Sequence, residues 1–326
     1  MSSIAMQPQT AGRQICFERI LVGTDFSDAS RQALAYALSL ARDYGSEIRI
    51  VHAIPPAPRE AIPLDPLPRE LNRRRLQANT EVQKLEQESG IREARHAIEI
   101  REGKVWDVIS SLIDRDRMDL LVLGTRGRGG LTKLALGSIA EQAVRLASCP
   151  VLTVGPHARN PEADTTFKSI LFATDFGAAS MRAFPLALRV AEMYRAKLAL
   201  IHVLLPMSFA DIGPGGYGAA AYTEEDRATW HKRLREEGLR ELQALIPPDA
   251  RLAGEPVYIV ETNFLPDGIL QAAEVEDCDL IVMGAHPTRS PRLAAHLRWA
   301  VLHEVMCKVQ CPVLTVGSRG TTTGSW

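Results

Sequence analysis

The chain has 326 residues, 46% of them hydrophobic and 24% charged, with a formal net charge of −1. That length favours about two domains, each able to bury a core of its own. The near-neutral charge argues against a general attraction to nucleic acid or to an anionic membrane, and no run approaches the roughly 18 apolar residues of a spanning helix.

In chain order, residues 1–15 are polar and lack the apolar centre of a secretory signal; they are expected to be a disordered leader. Residues 20–23 read as a strand. Residues 27–44 read as a helix, with Ala33, Leu34, Ala37, Leu38 and Ala41 at helical spacing. A second strand follows at 47–54, a charged helix at 69–88 and a third strand at 97–101. A helix at 105–114, a fourth strand at 120–123, a helix at 138–147 and a fifth strand at 151–154 complete the pattern. Residues 157–166 form a short polar linker.

The pattern then starts again. Ile20-Leu-Val-Gly-Thr-Asp-Phe-Ser27 recurs as Ile170-Leu-Phe-Ala-Thr-Asp-Phe-Gly177, 150 positions on, and His52 recurs as His202. Met118-Asp-Leu-Leu-Val-Leu-Gly124 recurs as Cys278-Asp-Leu-Ile-Val-Met-Gly284, and Cys149-Pro-Val-Leu-Thr-Val-Gly155 as Cys311-Pro-Val-Leu-Thr-Val-Gly317. Order is kept while offsets grow at loops, which marks a duplicated domain rather than a short solenoid repeat. Strands alternating with helices imply βαβ units and a parallel sheet covered on both faces. The expected fold is α/β: two tandem copies of a doubly wound, five-stranded parallel-sheet domain, at 16–156 and 167–318, with a tail at 319–326.

Cys16, Cys149, Cys278, Cys307 and Cys311 are odd in number and lack framework spacing, which argues against a disulfide scaffold and for a reducing cytoplasm. Residues 55–68 carry six prolines, and 206–221 are rich in Gly and Ala. Both segments follow a second strand and so overhang the carboxyl edge, where ligands bind in open α/β sheets. They are read either as covers for a ligand or as ordinary connections.

The segment richest in chemistry is Gly124-Thr-Arg-Gly127, then nine residues, then Gly137-Ser138. Glycines permit positive φ and close backbone approach, and Gly127-Arg-Gly-Gly130 could form an anion-binding nest of amides. Ser138-Ile-Ala-Glu141 matches a capping box with Ser138 as N-cap, and a helix start favours phosphate. Arg126, Arg128 and Lys133 add positive charge. The segment is neither a Walker A motif nor a dinucleotide fingerprint, which need other spacings.

These residues resemble the universal stress protein family. The resemblance is carried by Val22-Gly-Thr-Asp25-Phe-Ser, by His52, by the Gly-x2-Gly-x9-Gly-Ser pattern and by Cys149-Pro-Val-Leu-Thr-Val. It covers about residues 16–318 and implies an adenine nucleotide alpha hydrolase-like, Rossmann-like fold. Family members that keep the glycines bind ATP, and members that lack them do not. The first half resembles the former and the second half the latter. The resemblance implies ATP or ADP, with Mg2+, in the first half. It sets adenine and ribose near Thr24, Asp25 and Ala53 with Leu123 beneath the base, and phosphates against Gly124, Arg126, Gly127, Arg128, Gly137, Ser138, Ile139 and Ala140.

Asp25 can accept from a ribose hydroxyl, help hold Mg2+, or cap the next helix; its recurrence as Asp175 points to a part in the fold. His52 and His202 are read as structural for the same reason. In the second copy Pro287 removes one N–H donor, and Trp299 is expected to put a ring where Gly137 leaves room. That half is read as a structural partner, as the holder of another ligand, or, through His303 and Cys307 at i, i+4, as a metal binder. No Glu, Gln or His in the loop stands ready to orient a water for hydrolysis. The reading therefore favours a stress-response regulatory binder, with a slow ATPase timer and a nucleotide-stabilised scaffold as alternatives. The apolar terminal strands at 151–154 and 313–316 need partners. The family pairs through that strand, so the two halves are expected to satisfy each other, with homodimerisation left open.

Overall fold

The computed structural model describes residues 17–56, 67–127, 136–159, 161, 167–205, 224–285 and 293–317. The leader, Arg128, Lys133, most of 55–68, much of the linker, residues 206–221, Pro287 and the tail lie outside the described residues.

The first half runs β1 (Arg19–Gly23), α1 (Asp28–Tyr44), β2 (Glu47–Ile54), α2 (Leu67–Glu88), β3 (His96–Glu102), α3 (Val105–Asp116), β4 (Leu120–Gly124), α4 (Ser138–Leu146) and β5 (Val151–Val154). The second half repeats it: β6 (Ser169–Ala173), α5 (Ala178–Tyr194), β7 (Lys197–Leu204), α6 (Glu224–Leu245), β8 (Val257–Thr262), α7 (Leu265–Val275), β9 (Leu280–Gly284), α8 (Leu293–Lys308) and β10 (Val313–Val316). A single turn of 3-10 helix at Ile91–Glu93, entered through Gly90 in the left-handed conformation, was not expected from the sequence.

The strands form one sheet in the order β3-β2-β1-β4-β5-β10-β9-β6-β7-β8. Pairing is parallel within each half, as a doubly wound fold requires, and antiparallel between β5 and β10, where Leu314 faces Leu152. Thr153 Oγ1 donates to the Val313 carbonyl and Thr315 Oγ1 to the Val151 carbonyl, each at 3.2 Å.

Alternation along the strands sends side chains to opposite faces. Ile20 and Val22 join one core with residues of α1, α2, α5 and α6. Leu21 joins the other with residues of α3, α4, α7 and α8. Both cores run through both halves, so the sheet is buried on both sides, and the short apolar runs in the sequence follow from that.

Two carboxylates fix the strand entries. Asp119, just before β4, accepts from the Glu18 and Arg19 backbone amides at 2.7 and 3.0 Å. Asp279 accepts from the Lys168 and Ser169 amides in the second half at 2.6 and 3.2 Å.

The linker begins differently from its polar reading. Ala158 is buried, its carbonyl accepts from Gln32 Nε2, and the Arg159 carbonyl accepts from Tyr36 Oη at 2.7 Å. Arg159 also pairs with Asp277 at 2.9 Å. A polar segment with no hydrophobic period can still be held when its backbone meets side chains of a neighbouring helix.

Candidate functional site

The turn after β1 is built from three side chains. Phe26 takes φ of 62°, the left-handed region, which is costly for a bulky residue. The Thr24 hydroxyl accepts the Phe26 amide at 3.0 Å, and the Phe26 ring lies 4.5 Å from the His52 ring. His52 Nδ1 lies 2.8 Å from the Thr24 carbonyl. The second half repeats this, with Phe176 at 54°, Thr174 and His202. A strained turn present in both copies belongs to the fold, as the two histidines were read.

Asp25 is not the helix cap. Ser27 is the N-cap of α1 and accepts the Ser30 amide. Asp25 Oδ1 accepts from the Ser27 amide at 3.0 Å and from Ser27 Oγ at 2.5 Å. The carboxylate thus orients the cap while remaining on the cleft wall.

A cleft of about 270 Å³ opens at the carboxyl edge of β1, β2 and β4. Thr24, Asp25, Ala53 and Leu123 line it, as do Gly124 at the end of β4 and Arg126 and Gly127 beyond it. Gly137, Ser138, Ile139 and Ala140 bring the start of α4 to the same wall. Every residue that the resemblance assigns to the nucleotide lies there except Arg128, which, like Gly130 and Lys133, is outside the described residues. The cleft also takes in Gly23, Ser30, Val51 and His52, and Val105 and Ile109 from α3. Sequence reasoning missed the last two; their signal is that α3 starts directly after the carboxyl end of β3.

The glycines act through close approach. A Cβ on Gly124 would sit 2.7 Å from the Ala29 carbonyl, and one on Gly284 2.5 Å from the Ala179 carbonyl. The first glycine therefore serves helix packing, and that need keeps it in both halves. A Cβ on Gly127 would lie 2.9 Å from Asp25 Oδ2, and one on Gly137 3.1 Å from the Thr125 carbonyl oxygen. Neither has positive φ; among the described residues Gly45, Gly90 and Gly103 do.

Two expectations are corrected. The N-cap of α4 is Gly137, extended at φ −63° and ψ 142°, with no side-chain capping bond, and its amide donates to the Thr125 carbonyl at 2.7 Å. Ser138 is already helical, and Glu141 pairs with Arg145 at 2.9 Å. No capping box forms, and the Ser138 side of the helix start faces the cleft. Secondly, Trp299 does not fill the place that Gly137 leaves open. Helix α8 begins at Leu293, so Trp299 sits inside it, with the Arg145 guanidinium 4.1 Å above its ring. The helix runs on past that depth, where amides bond to the preceding turn rather than standing open.

The metal reading of His303 and Cys307 gains nothing from the geometry. His303 Nε2 accepts from the Leu136 amide at 3.4 Å, Cys307 is buried, and among the described residues no group of three His, Cys, Asp or Glu is arranged for a metal.

Fold and cleft together define a doubly wound α/β protein with a glycine-lined cleft at the carboxyl edge of a parallel sheet. The model of the universal stress protein family matches residues 17–155 and again 166–317. The chain belongs to that family. Universal stress protein MJ0531 of Methanocaldococcus jannaschii is 30% identical over 142 residues, covering 42% of this chain and 82% of that relative. A universal stress protein of Thermus aquaticus is 33% identical over 138 residues, covering 42% of this chain and 98% of its own. The solved universal stress protein from Archaeoglobus fulgidus DSM 4304 matches 93% of this chain and 99% of its own, with TM-score 0.61 at 18% identity. That likeness shows the fold. No helix among the described residues is long and apolar enough to cross a membrane.

Proposed function

We propose that the chain is a stress-response regulatory protein that binds ATP or ADP in its first half, residues 16–156. The observation that carries the reading is the start of α4. Its first residues line the cleft that Asp25 also lines, its N-cap makes no side-chain capping bond, and a Cβ would press on Asp25 from Gly127 and crowd the Thr125 carbonyl from Gly137.

The residues fit a nucleotide in kind and in order. Leu123 and Ala53 offer apolar contact to a base. Thr24 and Asp25 sit at the mouth of β1, where Asp25 can accept from ribose hydroxyls. The amides of Ser138, Ile139 and Ala140, at the positive end of the helix dipole, suit phosphate. Arg126 adds charge to the same wall, and the family resemblance assigns Arg128 to the phosphates as well. Mg2+ is commonly held by one or two carboxylates together with substrate phosphates, and Asp25 supplies one carboxylate. Bound nucleotide would bring an adenine-ribose scaffold and a polyphosphate whose state the protein can sense; the side chains of this cleft bind and orient.

Asp25 is the one carboxylate in the described lining, and hydrolysis needs a group that positions a water, so the proposal is of a binder rather than a turnover enzyme. In this proposal the second half, residues 167–318, is the structural partner across β5 and β10, joined through the linker at 157–166, and occupancy of the cleft is relayed to it. The contact of Leu136 with His303, just ahead of Gly137, supports that route.

The test is mass spectrometry of small molecules released from denatured, purified protein, beside a Gly137→Trp variant. Adenine nucleotide from the wild type and none from the variant is the expected result. No nucleotide from either, with no binding when ATP is added, would overturn the proposal.

A further inference from the structure

We propose that the second half holds an uncharged apolar small molecule with a hydroxyl end, in a cavity at the carboxyl edge of β6, β7 and β9. This inference does not rest on nucleotide binding in the first half.

The cavity measures about 650 Å³, against about 270 Å³ for the glycine-lined cleft at the matching place. That falls inside the usual range for small-molecule sites, which are mostly apolar with a few polar groups at one end. The two sites share a scaffold and differ in lining. Ala53 of the first site corresponds to Val203 of the second, and Ala140 to Leu302. Leu234 of α6 and Leu265 of α7 add further apolar wall.

Among the described residues, the means of holding phosphate are gone. Because α8 starts at Leu293, the amides of Val301 and Leu302 lie inside a helix rather than at its start. No lysine or arginine appears among the described lining residues, and the charge that is present is the Asp175 carboxylate. A second anion beside it in a low-dielectric pocket would be repelled.

The polar end has a defined character. Asp175 Oδ1 accepts from the Gly177 amide at 2.9 Å and from Ser180 Oγ at 2.8 Å, so the carboxylate is held in place by donors. Thr174 and His202 lie beside it in the wall. An acceptor-rich end suits a ligand that donates. The rest of the cavity suits an aliphatic or aromatic body, whose burial contributes about 25 cal/mol per Å² of apolar surface.

The test titrates the full chain with N-phenyl-1-naphthylamine, a neutral apolar fluorophore. Saturable enhancement near one probe per chain is expected. Displacement by 1-decanol is expected at concentrations about tenfold below those needed with decanoate, and excess ATP should not displace the probe from Gly137→Trp, whose first-half cleft is blocked. Val301→Trp, which narrows the cavity, should weaken probe binding by about tenfold or more, while Val275→Ser, on an exposed apolar side chain away from the site, should not change it. If circular dichroism shows Val301→Trp unfolded, Leu234→Lys at the wall gives the same readout. Absence of saturable binding would overturn the proposal. So would affinity untouched by the folded cavity variants, displacement by ATP from Gly137→Trp, or decanoate competing as well as decanol.

Discussion

Asp25 has two duties, and they can be separated. It braces Ser27, the cap of α1, and it lines the cleft. Asp25→Ala should cost about 1 kcal/mol in stability through the weakened cap, and about tenfold or more in ATP affinity through loss of a charged acceptor. Urea unfolding beside nucleotide titration checks both; an unchanged affinity would remove Asp25 from the site. Thr125, between Gly124 and Arg126, is 2% exposed and its hydroxyl has no partner among the described residues. Its counterpart is Ala285. Thr125→Val should leave stability unchanged or raise it by about 1 kcal/mol, since an unsatisfied buried hydroxyl is removed; a loss of stability in a thermal melt would show that the hydroxyl is satisfied. The four described cysteines are free and buried. Burial pushes the Cys149 thiol up to about 12 and Cys278 to about 11. These thiols should stay unmodified by a disulfide reagent at neutral pH until the chain is unfolded.

The strand entries show how elements are held and how pH acts on them. Burial pushes the Asp119 carboxyl up to about 6 from its ordinary 3.8, although the Glu18 and Arg19 amides pull it down. The folded chain therefore binds a proton more readily than the unfolded chain. The stability this contributes is full below about pH 4 and is lost as pH rises through about 6. Burial raises Asp279 in the same way, so Asp119→Asn should flatten, without abolishing, the falling slope of stability between pH 4 and 6, measured by denaturant midpoints; the full wild-type slope retained in the variant would contradict it. Most elements could be read in the sequence because their signals are local. Short apolar runs gave β1, β4 and β5, and helical spacing gave α1. What escaped depended on where backbone turned helical. Ser138 to Glu141 satisfies a capping pattern, but Gly137 is the extended residue. The offset that sets Trp299 opposite Gly137 carries no information that α8 starts at Leu293. The second cavity escaped because its walls come from strands and helices far apart in the chain, and its volume exists only once they assemble.

At the scale of the molecule, two halves share one sheet and two cores. The join is tight at Gly155, where a Cβ would lie 2.8 Å from the Met306 carbonyl oxygen of α8. A backbone atom cannot step aside as a flexible side chain can. Gly155→Leu should cost about 1–3 kcal/mol and loosen the join, seen as faster amide exchange in β5 and β10; unchanged exchange would place the strength of the join elsewhere. The division of labour between the halves rests on one asymmetry. The helix after the fourth strand begins at the cleft in the first half and upstream of it in the second. The most direct measurement is calorimetric titration of nucleotide-free protein with ATP and Mg2+. The account predicts one site per chain, lost in Gly137→Trp. Two sites per chain, or one site that survives that variant, would contradict it.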